Sequence, residues 1–415
     1  MNCLEKNNIP AGYKDSAVGI IPQEWEVKRI QEICKVDAKS LSAKTSSDYE
    51  FEYISLSDVD SDSFDISTSH QIFRTAPSRA RRIVSKGDVV ISTVRPNLQG
   101  FFLAKEDKKD LIASTGFAVL TPTECDSQYL LSCFFSQIVS KQFYSLVVGS
   151  NYPAVNSSDV AKLKLAVPPM EEQRKIAEIL GVWDEAIEKQ SRLIEKLELR
   201  KRALMQRLLT GRTRLPGFNT PWQKRRMKDC FEHITDTSNG CEYLPMTISA
   251  RLGLISQKDK FDRVIAGDSL KKYTHIQKGD FAYNKGNSNL YEMGCIYRLK
   301  EQDAVVPFVY ICFRPKQNVI GEFYQHFFIN HGLDRQLKRI ITSGARGDGL
   351  LNVDKTDFFE LEIVYPPIAE QKAIAEVLTV ADNEIATHRK KLDALRLQKR
   401  GLMQQLLTGK TRVKI

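Results

Sequence analysis

The sequence predicts an α+β fold: two mixed α/β globular domains lie in tandem, and a long helix follows each of them. Three observations predict it. A stretch of about forty residues is written twice, at a constant offset of 198 residues from Pro168 to Pro366. Each copy carries an apolar heptad, and the two segments before the copies share landmarks. We expect the two helices to pair as an antiparallel coiled coil, which gives the chain an internal pseudo-two-fold symmetry.

The repeat divides the chain into four predicted segments. They are a first globular domain (1–167), a central long helix (168–211), a second globular domain (212–365) and a C-terminal long helix (366–415). At 415 residues the chain is long enough for several domains, each with its own core.

The two globular segments share a frame and differ between its landmarks. Each opens with a proline and a tryptophan, carries a Lys-Gly-Asp triplet before an apolar strand and a polar loop, and includes an aromatic-rich helical stretch. These landmarks are Pro22 and Trp25, Lys86–Asp88 and 129–146 in the first segment, and Pro221 and Trp222, Lys278–Asp280 and 323–341 in the second. Short alternating runs such as 117–120 predict strands. Two recognition domains that share a scaffold but bind different target sequences would show this pattern.

Each repeated copy predicts one long helix. Its paired prolines end a strand and are tolerated in the first helical turn. Glu171 and Glu172 lie in that turn, where the helix dipole favours acidic groups. Gly211 and Gly409 stand just past the last leucines, where a helix commonly ends in a left-handed glycine. Forty helical residues extend about 60 Å.

The apolar stripe of each copy alternates spacings of four and three residues, which is typical of a coiled-coil seam. The predicted seam residues are Ile176, Leu180, Trp183, Ile187, Ile194 and Leu197 in the first helix, and Ile374, Leu378, Ile385, Leu392 and Leu395 in the second. Both stripes are interrupted at two equivalent places, Gln190/His388 and Lys201/Lys399. An antiparallel pair would bring Gln190 and His388 together, so we expect them to fix the register. For the lysines we favour a solvated position at the edge of the seam, with a register role as the alternative.

The charge favours an anionic partner. The net charge is +10 with a pI near 9.0, which points to nucleic acid first and an anionic membrane surface second. The eight cysteines form no C-x-x-C pair, and no stretch is apolar and long enough to span a membrane. With a polar N-terminus, these features predict a reduced, cytoplasmic protein that does not bind membranes.

We find no motif for catalysis in the sequence and expect no catalytic residue, no metal site and no cofactor in this chain. Val167–Met170 and Tyr365–Ile368 superficially resemble an amino-methyltransferase signature but lack its amide or acid and its closing aromatic. Thr408–Thr411 resembles the end of a P-loop, yet Gln404 stands where the first glycine is required. The six histidines have no partners at metal-ligand spacing.

Candidate DNA contacts lie in basic clusters and in the loops after the two Lys-Gly-Asp strands. Arginine, asparagine and glutamine make paired hydrogen bonds to base edges, whereas lysines and arginines elsewhere mostly bind phosphate. The candidates are Arg74, Arg79, Arg81, Arg82, Arg95, Asn97, Gln99, Asn151, Lys258, Lys260, Lys285, Asn287, Asn289 and Arg346. The alternative is that the charged groups form a solvated face and that the nearby glycines serve only tight turns.

The repeated Pro-Pro-x-x-Glu-Gln-x-x-Ile-Ala-x-x-Leu and Leu-Met-Gln-x-Leu-Leu-Thr-Gly motifs resemble those of the specificity subunits of type I restriction-modification systems, and the resemblance covers nearly the whole chain. It implies two target-recognition domains that each bind one half of a split DNA site, with a spacer set by the coiled coil. It also implies two modification subunits, which carry S-adenosylmethionine and methylate adenine, and restriction subunits that join them. Base-contacting residues are not implied, because those segments vary most.

Two other classes of function remain open from the residues. A fused restriction-methylation enzyme would carry catalytic motifs, which we do not find. A coiled-coil scaffold that binds only protein would give no sequence-selective methylation or cleavage in any complex.

Overall fold

The structure, a computed structural model, describes residues 9–59, 66–106, 110–146, 154–237, 243–261, 263, 267–286, 290–341 and 351–415. The chain forms two compact units, Met1–Leu193 with His388–Ile415, and Ile194–Thr387. Each unit therefore contains one globular domain, part of the helix that follows it, and part of the other long helix. The predicted segment boundaries follow the repeat rather than this division and stay a prediction.

The first globular domain and its helix contain short strands and short helices before one long helix. The strands are β1 (Tyr13–Lys14), β2 (Ile21–Pro22), β3 (Glu26–Arg29), β4 (Cys34–Val36), β5 (Glu50–Ile54), β6 (Ser69–Ile72), β7 (Ala80–Val84), β8 (Val89–Ser92), β9 (Phe101–Leu103), β10 (Leu111–Ser114), β11 (Phe117–Pro122) and β12 (Lys164–Val167). The helices are α1 (Ile30–Ile33), α2 (Ser127–Phe134), α3 (Gln137–Leu146), α4 (Ser157–Val160) and α5 (Met170–Leu208).

Two four-stranded sheets form the first domain, in the orders β6-β5-β10-β7 and β4-β11-β8-β9, with two separate two-stranded ribbons, β12-β3 and β1-β2. The pair β5–β10 is parallel and the other pairs are antiparallel. Strand β8 is buried along its whole length between β11 and β9. Apolar residues on all sides explain its continuous Val-Val-Ile run.

The second globular domain and its helix repeat this plan. The strands are β13 (Gln223–Arg226), β14 (Phe231–Ile234), β15 (Leu244–Ser249), β16 (Gly253–Ser256), β17 (Thr274–Ile276), β18 (Phe281–Asn284), β19 (Cys295–Arg298), β20 (Ala304–Val306), β21 (Ile311–Pro315) and β22 (Glu362–Tyr365). The helices are α6 (Met227–Cys230), α7 (Gln257–Phe261), α8 (Gly321–Ile329), α9 (Asp334–Ile340), α10 (Lys355–Glu360) and α11 (Ile368–Leu406).

The strand order of the second domain is the same as that of the first. Its sheets run β16-β15-β20-β17 and β14-β21-β18-β19, with the ribbon β13-β22. The parallel pairing of β5 and β10 recurs at the equivalent strands, β15 and β20. The common frame predicted from the landmarks is therefore present in both four-stranded sheets and in the ribbon, although the sequences between the landmarks diverge. The β1-β2 pair of the first domain has no counterpart among the described strands of the second.

The two long helices pack antiparallel within each unit. In the first unit, the start of α5 shares a core with the end of α11, including Ile176, Leu180 and Leu406. In the second unit, the end of α5 shares a core with the start of α11, including Leu208 and Ile374. The α+β class and the antiparallel helix pair are as predicted.

Gln190 and His388 meet, as the antiparallel pairing predicts. The Gln190 amide donates to His388 Nδ1 at 2.8 Å and to the His388 carbonyl oxygen at 3.1 Å. Two residues at equivalent positions of the repeat therefore contact each other. A polar pair of this kind fixes register because a slipped alignment would leave its buried groups without partners.

The favoured interpretation of the two seam lysines was wrong. Lys201 forms an ion pair with Asp382, and Lys399 forms the equivalent pair with Asp184. The lysine side chains are only 16% and 12% exposed, so neither is solvated at the edge. Each lysine instead finds a carboxylate on the facing helix, which the heptad pattern of a single helix does not reveal.

The remaining seam positions are mostly apolar and buried. The buried ones are Ile176, Leu180, Ile187, Ile194, Leu197, Ile374, Leu378 and Ile385, and the half-buried ones are Trp183, Leu392 and Leu395.

In the part of the chain that the structure describes, no helix is long and apolar enough to cross a membrane.

Candidate nucleic-acid interface

The first Pro-Pro-x-x-Glu-Gln motif buries its glutamate in a three-residue cluster. Glu172 is fully buried at the start of α5. Trp25 donates its indole N–H to Glu172 Oε2 at 3.0 Å, and Arg412 donates to both carboxylate oxygens at 2.6 and 3.0 Å. These hydrogen bonds raise the pKa of Arg412. The cluster ties the domain's first landmark to the start of one long helix and the segment after the other.

The second motif builds the same cluster in the second unit. Glu370 is fully buried and accepts the indole N–H of Trp222 at 2.8 Å. Arg214 donates to its two oxygens at 2.6 and 2.7 Å. The sequence analysis explained the glutamates at the helix start only by the helix dipole, and it did not predict that they bind a tryptophan and an arginine. The signal was present, because the tryptophan and a Thr-Gly-x-Thr-Arg segment recur with both copies.

The glutamine that follows each glutamate joins the long helix to a helix of the domain. Gln173 accepts the backbone N–H of Asp126, and Gln371 accepts that of Ile320, at 2.9 and 3.0 Å. Asp126 and Ile320 are the N-cap residues of α2 and α8. The repeated motifs thus form a scaffold that positions both domains.

The Lys-Gly-Asp landmarks are also structural. Asp88 and Asp280 are buried just before β8 and β18. Asp88 accepts a hydrogen bond from the Thr121 hydroxyl at 2.7 Å. Asp280 accepts from Nε and from Nη2 of Arg314, each at 2.7 Å. In both domains a buried carboxylate fixes the start of the strand whose far end carries the candidate loop.

The loop after β8 carries three of the predicted DNA contacts. Arg95 and Asn97 are exposed and Gln99 is half-buried. The loop contains a short 3-10 turn, Pro96–Leu98, before β9 begins. The structure thus places an arginine and two amide side chains within one connection between neighbouring strands, and these side chains suit base edges.

The basic cluster of the first domain does not form one free surface. Arg82 pairs with Asp37 at 2.8 Å and is largely covered, and Arg74 pairs with Asp48 at 2.5 Å. Arg81 donates to the Ala80 carbonyl and lies over Phe73. Arg79 is exposed, and its side chain makes no hydrogen bond or ion pair with the described residues. Arg79 is therefore the member best placed for a phosphate.

In the second domain, the predicted residues that are described lie in two places. Lys258 and Lys260 are on α7 and are exposed, and the Lys260 ammonium donates to the Ile248 carbonyl at 2.8 Å. Lys285 is half-buried directly after β18, and its carbonyl accepts the N–H of Leu351 at 2.9 Å. The remaining predicted contacts lie outside the described residues: Asn151, Asn287, Asn289 and Arg346.

Two exposed leucines at loop tips were missed by sequence reasoning. Leu98 is 57% exposed in the β8–β9 loop, and Leu252 is 74% exposed in the turn between β15 and β16. Arg251 beside it is also exposed. An apolar residue inside a polar loop is a weak signal, because sequence alone does not reveal whether the side chain folds inward.

Among the described residues, no group of three or more histidine, cysteine, aspartate or glutamate side chains could hold a metal ion. The described cysteines are free thiols in the core. Burial raises the pKa of Cys34 and of Cys133 to about 12, which disfavours the reactive thiolate.

Comparison with known proteins identifies the family. The model of the type I restriction modification DNA specificity domain matches residues 22–199 and 264–397. Two specificity subunits of Methanocaldococcus jannaschii type I restriction enzymes are similar along nearly their whole length: the putative MjaX subunit is 26% identical (97% of each chain), and the MjaVIII subunit is 24% identical (95% of this chain and 94% of that one).

Solved structures share the fold. A type I restriction-modification chain from a study of complex assembly and conformational transition superposes with a TM-score of 0.60 at 20% identity, covering 94% of this chain and 99% of that one. The S subunit of M. genitalium gives a TM-score of 0.56 at 14% identity, covering 98% of each. With the family model matching well over half of its length, the chain belongs to the type I restriction-modification DNA specificity family, whose members supply sequence specificity while catalysis resides in partner subunits.

Proposed function

We propose that this chain recognises a split DNA target, with one half bound by each globular domain, and directs adenine methylation and cleavage by partner subunits at that target. One observation carries the proposal. The two domains have the same strand order and the same Glu-Trp-Arg cluster, yet they present different side chains after equivalent strands. The loop after β8 offers Arg95, Asn97 and Gln99, whereas β18 is followed by Lys285 and Gly286. A constant frame with variable loops suits two readers of different half-sites.

The proposed domain boundaries follow the repeat, with recognition domains at 1–167 and 212–365 and long helices at 168–211 and 366–415. The proposed working location is the cytoplasm. The proposed partners are double-stranded DNA, two modification subunits that carry S-adenosylmethionine, and restriction subunits; the chain itself holds no cofactor.

Exposed apolar residues on the long helices support two equivalent sites for the modification subunit. Val182 and Leu397 are 64% exposed in the first unit, and Val380 and Leu199 are 62% and 61% exposed in the second. In the repeat Val182 is equivalent to Val380, and Leu199 to Leu397. Each of the four lies two residues before a member of a lysine-aspartate pair. The same apolar pair therefore occurs once in each unit, as two copies of one partner require.

The experiment is genome-wide detection of methylated adenine in cells that express this chain with its modification subunit, compared with cells that lack this chain. The expected result is a split motif with a fixed spacer, present only when the chain is expressed. Absence of new methylation from a complex shown to assemble would contradict the proposal and favour a scaffold that binds only protein.

A further inference from the structure

The β8–β9 loop of the first domain displays an apolar side chain between polar ones. Leu98 is 57% exposed, and Arg95 and Asn97 beside it are exposed as well. A single exposed leucine is common on protein surfaces and needs no explanation by itself. The conformation of the loop that carries Leu98 is what indicates a function for this side chain.

The base of the loop is fixed to the domain core. The Thr93 hydroxyl donates to the Gly116 carbonyl at 2.8 Å, and the Thr93 carbonyl accepts the N–H of Val155 at 2.9 Å. Pro96 is buried at the start of the 3-10 turn, and α3 packs against that turn. The loop is therefore supported on its inner side while its tip faces outward.

The backbone on both sides of the tip is left-handed. Arg95 has a φ of +48° and Gln99 a φ of +54°, a region that non-glycine residues seldom adopt. Such conformations persist only where the surrounding structure imposes them, and they are concentrated at ligand sites. The fold therefore fixes the exposed positions of Asn97 and Leu98 before any ligand binds.

The chemistry of the tip matches one feature of the major groove. Arginine, asparagine and glutamine hydrogen-bond to base edges, and the 5-methyl group of thymine is the apolar group that the groove presents. The proposed function includes adenine methylation at the target, so the target contains at least one A·T pair and therefore a thymine with its 5-methyl group.

We propose that Leu98 packs against the 5-methyl group of a thymine in the half-site bound by the first domain, and thereby contributes to sequence specificity. This inference rests on the proposed function of that domain as a DNA reader. The competing role for an exposed leucine is a wedge inserted between base steps, which would act on any sequence that can be unstacked.

The test uses the full-length chain in complex with its modification subunit and duplexes that carry the methylated motif. Each thymine of the half-sites is replaced in turn by deoxyuridine, which lacks only the 5-methyl group. For the native chain we expect one replacement in the half-site of the first domain to weaken binding about fourfold, which corresponds to about 0.8 kcal/mol for one buried methyl group. For Leu98→Ala the same replacement should have no effect, and Leu98→Met should retain the sensitivity.

Leu252→Ala is the matched control, because Leu252 is an exposed leucine at a turn of the second domain. It should keep the fourfold sensitivity of the native chain. The proposal is overturned if no thymine of that half-site is sensitive, or if Leu98→Ala weakens all duplexes equally, as a wedge would. Failure of the proposed function itself is distinguishable, because no methylated motif would then be found.

Discussion

Single buried carboxylates connect the domains to the long helices. Glu172 and Glu370 are each fully buried and each bind one indole and one guanidinium. Removal of one member of a buried pair is more damaging than the net strength of the pair suggests, because the remaining group keeps its desolvation without compensation.

Glu370→Ala should therefore destabilise the second unit. Arg214 is about a quarter exposed and can recover some hydration, so we expect a loss of about 2–3 kcal/mol, at or below the lower end for broken buried pairs. Glu370→Gln can still accept from Trp222 and should lose less. Urea unfolding measures the loss of unfolding free energy in both Glu370 variants. Glu362→Ala is the control, since the Glu362 side chain is 57% exposed. Equal, small losses for Glu370→Ala and Glu362→Ala would contradict the assignment.

His326 gives the second unit a dependence on pH. Its side chain is 2% exposed on α8, its Nδ1 has no hydrogen-bond partner among the described residues, and burial lowers its pKa to about 4. Lys201 lowers the pKa further, while Asp382, 3.9 Å away, opposes the shift. The unfolded chain takes up this proton near pH 6.5, before the folded chain does. Stability is therefore full above about pH 6.5 and is lost as the pH falls towards about 4.

His326→Leu should remove this dependence. Tyr129 and Tyr324 donate their hydroxyls to the carbonyl oxygens of Ala166 and Val364, which are equivalent residues of the two domains. When the two domains are aligned on these tyrosines, the buried Leu131 of the first domain occupies the position of His326 in the second. We expect the native chain to lose about 3 kcal/mol between pH 6.5 and 4 from this residue, and the variant to lose correspondingly less. Thermal unfolding across this pH range measures it, with the exposed His70→Gln as the control. An unchanged pH profile in His326→Leu would show that another group is responsible.

The elements differ in how far the sequence determines them. The long helices were predictable, since heptad, proline and glycine signals all act locally; observed bounds of Met170–Leu208 and Ile368–Leu406 lie within the predicted segments. The left-handed φ of Gly211 and Gly409, +70° and +68°, follows from the same local signals. Strand order was not predictable, because β5 and β10 pair across about sixty residues and nothing local encodes that contact. For the same reason the lysine-aspartate pairs between facing helices escaped prediction.

The exposed apolar residues of the long helices lead to a prediction about assembly. Val182→Glu should leave the fold intact, because the side chain is exposed and glutamate has a higher helix propensity than valine. It should remove one docking site by placing a charge in an apolar contact. Native mass spectrometry of the purified complex should then find one modification subunit for Val182→Glu and none for Val182→Glu with Val380→Glu. Lys196→Glu, an exposed charge change on the same helix, should keep two.

Across the whole molecule, the repeated segments form the contacts that position the two globular domains, and the segments that differ between the domains lie outside the repeats. The buried Glu-Trp-Arg cluster is formed by the repeats, the landmark tryptophans and the recurring Thr-Gly-x-Thr-Arg segments. The glutamine at each N-cap binds only a backbone N–H of the domain, and the Gln190–His388 contact lies wholly within the repeats. Exchange of one globular domain therefore leaves these contacts in place, provided that the donor supplies the tryptophan and both strands of the β12-β3 or β13-β22 ribbon and, for the second domain, an arginine at the position of Arg214. Recognition should then be modular.

Replacement of residues 1–167 by the corresponding segment of another specificity subunit should change one half of the methylated motif and keep the other half. The retained half should change instead when residues 212–365 are exchanged, which serves as the reciprocal control. Both motifs are measured by adenine methylation in cells that express each chimera with the same modification subunit. A change in both halves would mean that the two domains recognise DNA jointly, and a change in neither would place recognition outside them; either result would refute the assignment of one half-site to each domain.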